Sequence, residues 1–171
     1  TNPSSFLQSG SPGGLNIYNV TSAGTTISFT VGINTIGTPT QLATTVISSS
    51  RIDLTWHRNS SNYNCMLVSN TSPVFGNPVG GTSYTPGNTI PGGGTVVYVG
   101  SSEEFSHTGL TGSTTYYYKL YSVSPDNYYS YGISQQATTS CASVTLPYAQ
   151  SFQSEVLPSC WSVQSSATGS N

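Results

Sequence analysis

Few side chains in this chain could do acid–base, nucleophilic or metal chemistry. They are His57 and His107, Cys65, Cys141 and Cys160, and the carboxylates Asp53, Glu103, Glu104, Asp126 and Glu155. The two histidines lie far apart, outside any HExxH or paired metal-ligand spacing. A zinc set of His57, His107 and Cys65 can be drawn, but two strand-end histidines are the simpler expectation. Glycoside hydrolysis needs two carboxylates flanking a cleft. Glu103 and Glu104 are adjacent, so in a strand they face opposite ways, and their Ser-rich surroundings read as solvated. Asp53 alternates with Ile52 and Leu54 and is therefore expected to point outward. Asp126 and Asn127 could offer oxygens to calcium, yet the sequence has no EF-hand ligand loop. It also has neither a Gly-x-Ser-x-Gly elbow nor a phosphate-binding loop. Gly92-Gly93-Gly94 opens a strand, not the helix that a phosphate cradle needs. Cys65 has no cationic neighbour to activate it and reads as a buried small hydrophobe rather than a nucleophile. The expectation is a chain that is not an enzyme, with no cofactor and no metal.

Tyrosine, by contrast, is abundant: 12 Tyr bring the aromatics to 11%. Tyr117 and Tyr121 are expected on the outward face of one strand, with Tyr128, Tyr129 and Tyr131 just before the next. An exposed cluster of Tyr117, Tyr121, Tyr128 and Tyr129 is a candidate contact for glycans or surface proteins, since each ring offers large area at little entropic cost. The alternative is that these rings cover Gly-rich strands or pack on a flanking domain.

Charge excludes other partners. The 171 residues carry 3 Lys and Arg and 5 Asp and Glu, for a net charge of −2. Arg51, Arg58 and Lys119 cannot neutralise a run of phosphates, so no nucleic acid is expected. No apolar run is long enough to cross a bilayer and no basic amphipathic helix could lie on one, so no membrane insertion is expected. Ser and Thr make up almost a third of the chain, and large aliphatics are scarce. Disorder needs high net charge and few aromatics as well, and both conditions fail here. The triplets starting at Asn19, Asn59 and Asn70 match the N-glycosylation pattern, as chance allows in so Ser/Thr-rich a chain.

The elements that must position these residues are strands. Helix formers are scarce, whereas Thr, Val, Tyr, Gly and Asn are common. Residues 15–20 and 27–31 alternate apolar and polar around the turn cluster 21–24, which predicts a β-hairpin. Residues 34–40 read as a linker. Strands are then expected at 42–47, 51–57, 63–68, 96–99, 115–123 and 131–139. Within them Ile52, Leu54 and Trp56 share one face, as do Tyr116, Tyr118 and Leu120. So many short strands in about 100 residues indicate an antiparallel β-sandwich of roughly seven strands. The fold class is therefore all-β.

Residues 39–139 resemble a fibronectin type III domain. The features that carry the likeness are the core Trp56 and the run Leu110-Thr111-Gly112-Ser113-Thr114-Thr115-Tyr116-Tyr117-Tyr118-Lys119-Leu120. The resemblance implies structural roles for Trp56, Leu110, Tyr116 and Tyr118, with the Tyr116 hydroxyl bonding back to the main chain as a tyrosine corner. The loop and strand 81–100 resemble those in such domains of secreted Bacteroidetes proteins. Residues 2–31 look like the end of a secreted metallopeptidase of the immune inhibitor A kind. Residues 146–161 resemble the opening of a cleaved-adhesin or MAM-like module.

The expected organisation is a terminal hairpin over 1–36, the sandwich over 37–140 and the start of a further β-module over 141–171. Cys141 and Cys160 flank the start of that third segment. A disulfide between them is expected, two free thiols being the alternative. A start at Thr1 without an initiator Met reads as a piece of a longer protein. The functional expectation is a non-catalytic accessory, spacer or adhesion module of a larger secreted or cell-surface protein, with a metallopeptidase as one candidate parent. Its partners would be flanking domains of the same polypeptide, with glycans or surface proteins as further ligands, and its location extracellular. Two alternatives stay open: a carbohydrate-binding module that uses exposed tyrosines, and a subunit of an extracellular filament or surface layer.

Overall fold

Alternation of side chains builds two sheets that close on each other. In a computed structural model, the described residues are 15–18, 25, 26, 28, 30–33, 36–142 and 160. A two-stranded antiparallel hairpin pairs β1 (Leu15–Tyr18) with β2 (Thr30–Ile33). Its second strand begins later than the alternation of 27–31 suggests. The sandwich then uses β3 (Thr40–Ser48), β4 (Arg51–His57), β5 (Asn64–Asn70), β6 (Thr95–Gly100), β7 (Glu104–Thr108), β8 (Thr115–Val123) and β9 (Ile133–Thr138). One sheet has the order β3-β4-β7 and the other β6-β5-β8-β9, with every pairing antiparallel. No helix occurs among the described residues. The all-β antiparallel sandwich expected from the sequence is the observed fold.

The period of two decides what fills the gap between the sheets. Ile52, Leu54 and Trp56 of β4 meet Cys65 and Leu67 of β5 and Tyr118 and Leu120 of β8. Phe105, Leu110, Tyr116 and Ile133 pack around them. Aromatic rings run through this core, Trp56 to Tyr98 at 5.8 Å and Tyr98 to Phe105 at 5.5 Å between centroids. Each such contact adds about 0.5–1.5 kcal/mol beyond the area it buries. Tyr116 accepts a hydrogen bond at its hydroxyl from the Thr111 main-chain N–H (2.9 Å), which pins the loop entering β8. The edges are tied as well: the Thr44 hydroxyl on β3 donates to the Gln136 carbonyl on β9.

Strand β7 is an addition to the expected list. Only Phe105 and His107 turn inward from it, and a polar imidazole weakens the apolar alternation that a sequence reading looks for. A larger departure is a second apolar core on the outer face of the four-stranded sheet. It contains Met66, Val68, Ile90, Val96, Tyr121 and Val123, with Phe75, Tyr84, Val99 and Tyr129 packed against them. Residues 71–94, between β5 and β6, fold back over this face as a cover. They carry Phe75, Tyr84 and Ile90 into it.

The cover is stitched by its own backbone. Gly76 N–H donates to the Gly93 carbonyl, Ile90 N–H to Gly94, Gly87 N–H to Val96 and Val96 N–H to Asn88. These bonds satisfy main-chain groups that the burial would otherwise strand. Gly94 adopts φ +105, and a Cβ there would press on Val68 and Phe75, so only glycine fits. Strand β5 is therefore buried on both faces from Cys65 to Ser69.

Candidate functional site

Several of the described side chains that could do acid–base or nucleophilic chemistry are held in structural contacts. His107 sits half-buried between the sheets, its Nδ1 3.0 Å from the Tyr118 hydroxyl, and burial lowers its pKa. His57 is exposed at the end of β4, with Nδ1 3.5 Å from Glu103 Oε2. Glu103 accepts the Arg58 main-chain N–H at 2.7 Å, and that bond is the main reason its carboxyl lies below the usual range. Asp53 takes a two-point contact from the Arg51 guanidinium, at 2.7 Å to each oxygen. Those hydrogen bonds, with one from Ser106, hold the Asp53 carboxyl low. Cys65 is fully buried beside Trp56, and burial pushes its thiol up to about 11. A thiol so far from ionisation at neutral pH is a poor nucleophile. No three of His, Cys, Asp and Glu gather where they could hold a metal, among the described residues.

The four tyrosines proposed for binding separate. Tyr121 is a correction: it is 1% exposed, beneath the cover, and its hydroxyl donates to the Gly76 carbonyl at 3.2 Å. The outward face of β8 is itself a packed interface, so facing outward does not mean facing water. Lys119 places its ammonium 5.3 Å from the same ring. Tyr117 lines a shallow depression with Pro73, Phe75 and Gln135, away from the others. Tyr128 is 37% exposed and stands apart from the lining to which Tyr117 belongs. Tyr129 lines a separate recess.

That recess is a cleft of about 450 Å³ between the cover and the β8–β9 turn. Met66, Val99 and Val123 contribute apolar lining, Tyr63, Tyr84 and Tyr129 aromatic lining, and Asn62, Asn64, Ser83 and Asn127 polar lining. Tyr129 is fixed from three sides. Its hydroxyl donates to the Thr82 carbonyl at 2.6 Å, and its ring meets Tyr84 edge-on at 5.8 Å and Tyr121 at 6.5 Å. Burial, with Tyr84 nearby, pushes the Tyr129 hydroxyl up to about 12, so it stays a neutral donor. Gly81 N–H donates to the Asn127 carbonyl and ties the cover to the β8–β9 turn. Tyr63, Tyr84, Asn62 and Asn64 were not expected from the sequence, and Asn127 was expected only beside Asp126 as a source of calcium oxygens. The signal available was a long loop carrying isolated aromatics between Gly-rich turns.

The triplets at Asn59 and Asn70 serve the fold instead. Asn59 is buried, donating to Gly37 and accepting from Tyr63 N–H, and the Asn70 amide donates to Val74. Asn19 lies outside the described residues. Cys141 and Cys160 are joined by a disulfide, and the Ser113 hydroxyl in the β7–β8 turn lies against the Cys160 sulfur. The adhesin-like stretch at 146–159 and Trp161, and most of the metallopeptidase-like stretch at 2–31, lie outside the described residues.

Neither the family models nor the curated proteins give a match. Solved structures do. The fibronectin type III domain of the human collagen α-1(XX) chain is similar over 68% of this chain and 97% of its own, at 15% identity and a TM-score of 0.49. A computationally redesigned β-sandwich protein is similar over 64% of this chain and 96% of its own, at 18% identity and a TM-score of 0.46. The fibronectin type III domain of human fibronectin type III domain containing protein 3 is similar over 65% and 92%, at 17% and 0.46. At such identities these likenesses concern the fold alone. The fold itself stands on the strand pairing described above.

Proposed function

We propose that this chain is a non-catalytic accessory module, a sandwich that spaces and orients neighbouring segments of a larger secreted or cell-surface protein. The observation that carries this reading is the covalent clasp at its exit. Cys141, just past β9, is bonded to Cys160, which also touches Ser113 at the same end of the sandwich. A spacer transmits direction only if the chain leaving it is fastened, and a cross-link there restricts the exit as a bare linker cannot. Disulfides persist in oxidising compartments, which supports an extracellular location. No helix among the described residues is long and apolar enough to cross a membrane. By the resemblance of its flanks, the parent carries a metallopeptidase upstream and an adhesin-like module downstream.

Backbone ¹⁵N relaxation of the whole chain, oxidised and reduced, tests the clasp. Order parameters at Cys160 should match those of β8 when oxidised and fall on reduction. A thiol count of three in the oxidatively folded protein, or order at Cys160 that ignores reduction, overturns the proposal.

A further inference from the structure

The geometry points to the cleft under the cover as a binding site for a neutral saccharide. This goes beyond the spacer reading and does not depend on it. The cleft is uncharged. None of the residues lining the cleft is Asp, Glu, Lys, Arg or His, so nothing there would hold a phosphate, a carboxylate or an ammonium ion.

The cleft also holds hydrogen-bonding groups that the fold leaves without protein partners among the described residues. The side chains of Asn62, Asn64 and Asn127 and the hydroxyls of Ser83 and Tyr63 make no hydrogen bond to any described residue, whereas Asn59, Asn70 and Asn88 use their amides within the fold. An amide both donates and accepts. That is the pattern to meet ring hydroxyls, which also do both.

The lining is aromatic as well. Tyr63, Tyr84 and Tyr129 give the cleft aromatic surface, and aromatic rings suit the apolar C–H face of a sugar. The volume falls within the range of about 300–1,000 Å³ usual for small-molecule sites, enough for about one or two sugar rings. The site is also preorganised. Tyr129 is locked by its bond to Thr82, and the rim turn is locked by the bond from Gly81 to Asn127. A peptide would instead be expected to add main-chain bonds along a sheet edge. This cleft offers side-chain amides over a sheet face.

The variants follow from the backbone. Asn62 has φ 53 and Asn127 has φ 59, the left-handed region that glycine adopts without strain. Asn62→Gly and Asn127→Gly therefore delete an amide while keeping the turn. In ¹⁵N-HSQC titrations of the whole chain, cellohexaose, mannohexaose and xylohexaose are run against an oligogalacturonate and a neutral peptide of similar length. At least one neutral hexasaccharide should shift Asn64, Ser83, Tyr84 and Asn127. Each Asn→Gly variant should weaken that binding about tenfold, the loss of one well-made hydrogen bond, while its melting temperature stays near the parent's. The proposal is overturned by no shift with any neutral sugar, by binding that both variants leave unchanged, or by a cleft that prefers the uronate or the peptide. Failure here leaves the order of Cys160 untouched, so the two readings stand or fall separately.

Discussion

Truncating Tyr121 tests the second core most directly, because two placements of this ring give very different costs. Were it a solvated ring on the outer face of β8, Tyr121→Ala would change stability by no more than about 0.5 kcal/mol, the usual range for an exposed site. In the structure the ring is 1% exposed, lies among Met66, Val68 and Ile90, and bonds the Gly76 carbonyl. Removing a buried aromatic side chain costs about 3–5 kcal/mol in lost transfer energy and residual cavity. Set against a total stability of about 5–15 kcal/mol, that is a large share. At about 4–8 °C per kcal/mol for a domain of this size, the melting temperature should fall by at least about 12 °C.

The conservative change separates packing from hydrogen bonding. Tyr121→Phe keeps the ring and leaves the Gly76 carbonyl without its partner, so it should cost only about 1–3 kcal/mol. Urea titrations followed by Trp fluorescence give the free energies, and amide exchange locates the damage. Exchange at Gly76, Ile90 and Val96, whose N–H groups stitch the cover, should accelerate before that in β4. A Tyr121→Ala protein within about 0.5 kcal/mol of the parent would refute the buried placement, and with it the cover as an integral layer.

Other perturbations have equally definite outcomes. Burial lowers the pKa of His107 below its ordinary 6.5, so the unfolded chain takes up the proton first as pH falls. Stability should thus be full above about pH 6.5 and decline as the pH falls below it, and His107→Gln should flatten that slope in urea titrations. Cys65 should resist iodoacetamide at pH 8 in the native protein and react in denaturant, as mass spectrometry will show, because its thiol is buried and pushed up to about 11. Gly94→Ala should cost about 1–3 kcal/mol through strain and overpacking. Gly87→Ala should cost less, since its added Cβ meets nothing, and paired thermal melts measure the difference.

How much could be read beforehand depended on how local the cause was. Strand β4 and strand β8 occupy the expected residues 51–57 and 115–123, because alternation around Trp56 and Tyr118 is written in consecutive side chains. Pairing Cys141 with Cys160 also needed only their positions around one segment. Tyr121 was misplaced because a period of two says which side of a sheet a residue takes and not what covers that side. The cover comes from residues 71–94, remote in the chain. A clue was present in Cys65-Met66-Leu67-Val68, a continuous apolar run of the kind that marks a strand buried on both faces. For the cleft, Tyr63, Asn62 and Asn127 come together only once the cover and the β8–β9 turn are in place.

The cover links the module's rigidity to its candidate site. Tyr129 borders the cleft, packs on Tyr121 in the core below and bonds Thr82 in the cover above. One ring therefore reports on three layers, and any change that loosens the second core will also loosen the cleft. Lost binding in a Tyr129 or Tyr121 variant would then say little about ligand contact, because a collapsed wall and a missing contact give the same reading. The rim asparagines avoid this coupling. Asn62 and Asn127 touch the fold through their main chains, which glycine preserves, while their side chains stay uncommitted. An affinity change at those positions without a stability change isolates recognition from architecture, a separation that the tyrosines themselves cannot provide.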